Sequence, residues 1–231
     1  MAEPAGQPAP GHPFWRRMRS IEGAAVAGII AAVGWVVALL GLLDIPDPWA
    51  SDVEIIDYYS NLVDSPRVII YLQVLVVSMV AFLWFVGVIR HRIGAREPKL
   101  FGTVFLGSGI LLAGLLFVGV ALAAAPAVLV GETDRAVDPD VAATFRAASR
   151  VLLAGFTARV AAVFIFATST LALRTGAMAR WFVVLSFLVG LGMFVNVTIA
   201  EPTVFAFPAW VAAVSLYLLF LAKDLDEPDE A

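Results

Sequence analysis

This chain has no cysteine. Disulfides, thiolate catalysis, iron–sulfur clusters and cysteine-bound zinc are excluded within it. Histidine occurs twice, as His12 and His91, and both lie outside the apolar runs. A bis-histidine haem buried in the membrane is thereby excluded for a single chain. Charge is sparse, at 15% of 231 residues, where soluble domains carry about 25%. Lysine occurs only at positions 99 and 223, while arginine occurs thirteen times, the compositional habit of a high-GC bacterium. There is no Gly-x-Ser-x-Gly elbow, no His-Glu-x-x-His, no P-loop and no pair of aspartates in adjacent apolar runs. Neither an enzyme nor a primary pump is indicated, and no cofactor or metal is called for. The net charge is −4 and the basic loops are explained by topology, so nucleic acid is not an expected partner.

What the chain has instead is apolar length. It is 61% hydrophobic, with a mean hydropathy of +0.92. The apolar residues fall in runs, and a bilayer core of about 30 Å needs about 20 of them per helix. Ala24–Leu43, Val68–Ile89, Phe101–Ala124, Val151–Leu173, Trp181–Ala200 and Val204–Ala222 read as six spans. Backbone groups in lipid must be satisfied internally. A barrel would alternate apolar and polar residues, and these runs do not. The expected fold is therefore all-α, a polytopic bundle of six transmembrane helices over residues 21–223. Residues 1–20 read as a disordered arm, rich in Ala, Pro and Gly, that ends in an interfacial anchor at Phe14-Trp15-Arg16-Arg17. The first run is too long for the h-region of a cleaved signal peptide. Residues 224–231 form an acidic tail.

Basic residues set the orientation. The N-terminal arm, the second and fourth loops and the C-terminus hold ten, among them Arg16, Arg17, Arg90, Lys99, Arg174 and Arg180. The other loops hold four: Arg67, Arg135, Arg146 and Arg150. Both termini are therefore expected on the cytoplasmic side of a bacterial cytoplasmic membrane. The outer loops carry structure of their own. Ser51-Asp52-Val53-Glu54 has the spacing of a capping box. Asp138-Pro139 supplies an N-cap followed by proline at the first helical position. Short interfacial helices are expected in outer loops 1 and 3, the second running from Pro139 through Arg150 into the fourth span. An offset of 83 residues lays Asp57 on Asp140 and Arg67-Val68-Ile69-Ile70 on Arg150-Val151-Leu152-Leu153. This suggests tandem copies over 24–90 and 101–174, followed by a hairpin over 181–222.

Four stretches carry a resemblance: Glu54-Ile-Ile-Asp-Tyr58-Tyr59 with Arg67, Phe82-Leu-Trp-Phe85 through Arg90, Leu171-Ala-Leu-Arg174-Thr-Gly176 with Arg180-Trp181, and Phe207-Pro208-Ala-Trp210 with Ser215. Over residues 24–222 the chain resembles a large family of uncharacterised six-helix membrane proteins of high-GC bacteria, of the domain-of-unknown-function type. The resemblance implies fold and membrane location, and no chemistry.

An ionisable side chain within a span costs about 2.5–3.5 kcal/mol on insertion scales and calls for a reason. Arg159, eight residues into the fourth run, is the clear case. It reads either as a snorkelled or acid-paired structural arginine, or as an anion or lipid-headgroup site. Glu201 is its nearest acid by expected depth, Asn196 lies one turn away, and Gln73 is at a similar depth in span two. These four form the candidate site. The small residues Ala24, Gly28 and Ala32, and the pair Gly109 and Ala113, recur at four-residue spacing and suit close helix packing. Pro208 is expected to interrupt span six. Trp15, Trp49, Trp181 and Trp210 suit interfacial belts.

Two functional readings follow. The first, favoured because the polar set is thin, is an accessory or scaffold subunit packed against other membrane proteins, its outer half filled by its own side chains. The second is a small-ligand or lipid-binding bundle with an outward-facing site around Arg159.

Overall fold

A computed structural model of the chain describes residues 13–62, 65–93, 99–133, 136–196 and 204–224. Among these the fold is all-α, with no strand. Glu201, most of the N-terminal arm and most of the acidic tail lie outside the described residues.

Among the described residues eight α-helices follow one another: α1 (Pro13–Leu43), α2 (Asp52–Ser60), α3 (Arg67–Ile93), α4 (Lys99–Thr133), α5 (Pro139–Arg150), α6 (Ala158–Thr175), α7 (Arg180–Val195) and α8 (Ala206–Asp224). Among the described residues four stretches are long and apolar enough to cross a membrane: Glu22–Leu43, Arg67–Arg90, Leu100–Thr133 and Pro139–Thr175. The remaining two apolar helices are shorter. The 16 residues of α7 reach about 24 Å at 1.5 Å per residue, less than a bilayer core of about 30 Å. Pro208 does not interrupt α8. It occupies the first turn, where its missing N–H would have no intrahelical partner in any case.

The six apolar helices pack in the cyclic order α1, α3, α4, α6, α7, α8, with α7 and α8 only lightly in contact. Small residues set the closest approaches, as the four-residue spacing predicts. A Cβ on Gly28 would lie 2.0 Å from Ser215 Oγ and 2.8 Å from the Phe85 ring. Gly109 lets the Phe164 ring approach α4 in the same way, at 3.1 Å from the site of a Cβ. Aromatic side chains fill the axis. Phe82 has no exposed surface and meets Trp35, Phe164 and Phe207 at ring-centroid distances of 6.0, 5.5 and 5.8 Å. Trp210 belongs to this cluster and not to an interfacial belt. It is buried, and its indole N–H donates to Ser186 Oγ at 3.0 Å. The partner explains the placement, because a buried indole N–H needs an acceptor.

Both short helices form where their caps predict. Ser51 Oγ accepts from the Glu54 amide at 3.3 Å. Asp138 Oδ1 accepts from the amides of Asp140 and Val141 at 3.0 and 3.3 Å, with Pro139 opening α5. The chain then runs from α5 into α6 without a break, through a π-helical stretch at Val151–Thr157. Thr157 Oγ1 donates to the Leu152 carbonyl five residues back, at 2.9 Å. Beside this stretch Gly119 of α4 lies under the Leu153 side chain, and Ser149 Oγ donates to the Gly119 carbonyl at 2.8 Å. The two suggested repeats share an element order but differ in geometry: α2 ends well short of α3, whereas α5 and α6 are continuous.

α4 runs nine residues past the expected end of its span, to Thr133. That extension supports the short helices. Val130 packs with Ile55 and Tyr59 of α2 and with Ala142 of α5 in a small second core. So α2 and α5 lie together over one end of the bundle.

Candidate functional site

The arginine singled out by sequence is anchored by backbone. Arg159 Nη1 donates to the Gly155 carbonyl at 2.5 Å, and Nη2 to the Asn196 carbonyl at 3.3 Å. Asn196 is the C-cap of α7. A cation there satisfies a terminal carbonyl and complements the negative end of the helix dipole. The structure thus brings Arg159 and Asn196 together. Gln73 stands apart, exposed on α3, which packs against α1 and α4.

A cavity lies elsewhere at this end of the bundle, under α2. Its walls are Ala38 and Gly41 of α1, Val68, Tyr71 and Leu72 of α3, and Val120, Ala123, Ala124 and Ala127 of α4. Its roof is Tyr58, Tyr59 and Leu62. The chamber holds about 70 Å³ and is predominantly apolar. Alanines and a glycine create the space. Gly41 also admits the Tyr71 ring flat against α1, since a Cβ there would lie 2.5 Å from Tyr71 Cδ2.

Asp44, Ile45, Tyr58, Leu62 and Arg67 line both this chamber and a wider polar mouth of about 480 Å³. The mouth adds Asp47, Glu54, Asp57 and Asn61. Its acids do not converge. Among the described residues no three of His, Cys, Asp or Glu stand close enough to hold a metal. Asp47 is committed elsewhere, as Arg150 Nη1 donates to its Oδ1. The same guanidinium stacks over Trp49 at 4.8 Å. One arginine therefore ties the loop after α1 to the end of α5 and fixes one lip of the mouth.

Burial pushes the Tyr58 phenol up from 10.0 to about 12, with Tyr59 and Asp44 adding to the rise and Arg146 opposing it. Burial also raises Tyr59, again against Arg146. Arg146, on α5, is 5% exposed; it lines neither chamber nor mouth but acts on both phenols of the roof, and sequence reading missed it. A signal for it existed. Ala142, Arg146, Ser149 and Leu153 fall on one helical stripe, and all four are buried. The tyrosines also carried one: three of the chain's four lie within residues 58–71.

The shifts make a prediction about alkaline pH. The fold favours the neutral phenols, so their contribution to α2 docking is complete below pH 10. For Tyr58 it is lost as the pH rises from 10 towards 12. Tyrosinate absorbance is expected to show a late step near 12 that Tyr58→Phe removes, and near-ultraviolet dichroism is expected to fall over the same window. Ionisation of every tyrosine near 10 would show that α2 does not bury them.

Compared with known proteins, the chain matches no family model, no curated protein and no solved structure.

Proposed function

We propose that this is a six-span protein of the bacterial cytoplasmic membrane, with both termini cytoplasmic, that binds a small amphipathic ligand at its outer face. The supporting observation is the chamber under α2. It is an apolar space walled by small residues and opening through a polar neck, the usual composition of a ligand pocket. The aromatic cluster around Phe82 fills the axis below it, which favours binding over permeation. Six spans require the bilayer to thin locally around α7 and α8. The charge count supplies the orientation and puts α2 and α5 outside.

The test uses the full chain in nanodiscs, titrated with short branched alkyl probes while its thermal midpoint is followed. A ligand at 100 times its Kd stabilises by about 2.7 kcal/mol, so the midpoint should rise. Ala124→Leu fills the chamber and should abolish that rise while leaving the unliganded midpoint little changed. Equal responses of the two proteins would sink the proposal.

A second reading, the accessory subunit, is favoured by α7. Val184, Leu185, Leu188, Leu191 and Val195 form an exposed apolar stripe on a helix held chiefly by α6. Lipid alone also satisfies such a stripe. Mass spectrometry after gentle purification separates the two, because a stoichiometric membrane partner that persists in Ala124→Leu supports the accessory role.

A further inference from the structure

We infer that the ligand is a zwitterion of the α-amino-acid type with a small aliphatic side chain, its ammonium met by Asp44, its carboxylate by Arg67, and its side chain in the chamber under α2. The inference rests on the binding reading above and gives it a substrate class.

Three observations carry it. First, the neck holds one carboxylate and one guanidinium, each lining both the chamber and the mouth. Among the described residues neither is taken up by an ion pair. An α-amino acid presents both charges on one carbon, directly above its side chain. The neck offers both complements at the edge of an apolar space. A guanidinium suits a carboxylate because its planar fork can make two parallel hydrogen bonds.

Second, the chamber sets the size. At about 70 Å³ it has roughly half the volume of an apolar cavity that admits benzene. By that ratio the space takes about three carbons, the branched end of an isobutyl group whose first carbon lies in the neck, and it does not take a lipid acyl chain. A zwitterionic phospholipid offers similar head chemistry and is disfavoured on this ground.

Third, the neck supplies a neutral polar group and the mouth a bias. The Tyr58 hydroxyl, beside Asp44, remains protonated throughout the physiological range and is free to serve as donor or acceptor. Glu54 and Asp57 make the mouth net negative. They attract an ammonium and repel a bare carboxylate, so of two singly charged probes the amine should bind better.

The experiment is isothermal titration of the full chain in nanodiscs with four probes sharing one alkyl group. These are leucine, 3-methylbutylammonium, 4-methylpentanoate and 3-methylbutanol. Leucine should bind at least about tenfold tighter than the amine, which should bind better than the acid. Arg67→Gln should erase the advantage of leucine over the amine and leave the amine unweakened. Asp44→Asn should erase the advantage of leucine over the acid. If leucine binds no tighter than the amine, the zwitterion inference is overturned while the chamber reading stands. If none of the probes binds, the chamber reading falls and takes this one with it. Should either variant fail to fold, the ranking of the four probes on the unaltered protein decides alone.

Discussion

Gly28→Leu is expected to prevent the bundle from closing. Gly28 lies where α1 meets both α3 and α8, and even a methyl group there would sit 2.0 Å from Ser215 Oγ and 2.8 Å from the Phe85 ring. Neither neighbour gives way easily. Ser215 Oγ is held by the Val211 carbonyl at 2.8 Å, and Phe85 has no exposed surface. Overpacking by a methylene or two costs about 1–3 kcal/mol in a well-packed core, and that range is the expectation for Gly28→Ala. Leucine adds three further carbons and should exceed it. In lipid this penalty is not softened by a hydrophobic term, since association there depends on close packing itself. The measurement is unfolding in mixed micelles, with Ser215→Ala as the paired change. Removing Oγ takes away the nearest atom, so Gly28→Ala with Ser215→Ala should recover much of the loss. If Gly28→Ala is neutral, α1 does not approach α8 as described.

That contact was legible in sequence, because Ala24, Gly28 and Ala32 recur at four-residue spacing and interfaces in lipid select small residues. So were the caps of α2 and α5, since Ser51 and Asp138 act on amides two or three residues away. The continuity from Pro139 into the fourth span was legible for the same local reason. What escaped was long-range. Gly41 has no small partner four residues off, and Gly119 pairs only with Ala123 of its own helix. Their importance comes from Tyr71 and Leu153, side chains on other elements that settle over them. The site escaped similarly. Arg159 stood out because it is charged within an apolar run, yet carbonyls of its own helix and of α7 hold it. Asp44 and Arg67 looked like ordinary loop charges. Only the fold places them around one neck, with α2 as a lid. Solvent violation in one dimension points to expensive residues, and those residues are as often fasteners as binders. A binding site at the edge of the membrane leaves no such violation.

Arg146→Met is expected to release α2 from the bundle. The substitution keeps side-chain length and apolar packing and removes the charge from a position only 5% exposed. Loss of a buried guanidinium costs about 1–3 kcal/mol for each polar group left desolvated and unsatisfied. The short helix has little to set against that. Its buried apolar residues are Ile55 and Tyr59. With α2 released the chamber loses Tyr58, Tyr59 and Leu62, and alkyl probes should cease to bind although Arg146 does not line the chamber. The phenols report which mechanism operates. Arg146 lowers both tyrosine pKa values against a larger rise from burial. If α2 stays docked, loss of the charge should drive both ionisations later still. If α2 is released, burial ends and the Tyr58 step should fall from about 12 towards 10. The second outcome is the expected one, with Arg146→Lys intermediate because an ammonium keeps the charge without the planar fork. A later ionisation in Arg146→Met would show that the apolar contacts of Ile55 and Tyr59 suffice to hold the lid, and that Arg146 acts only through its field.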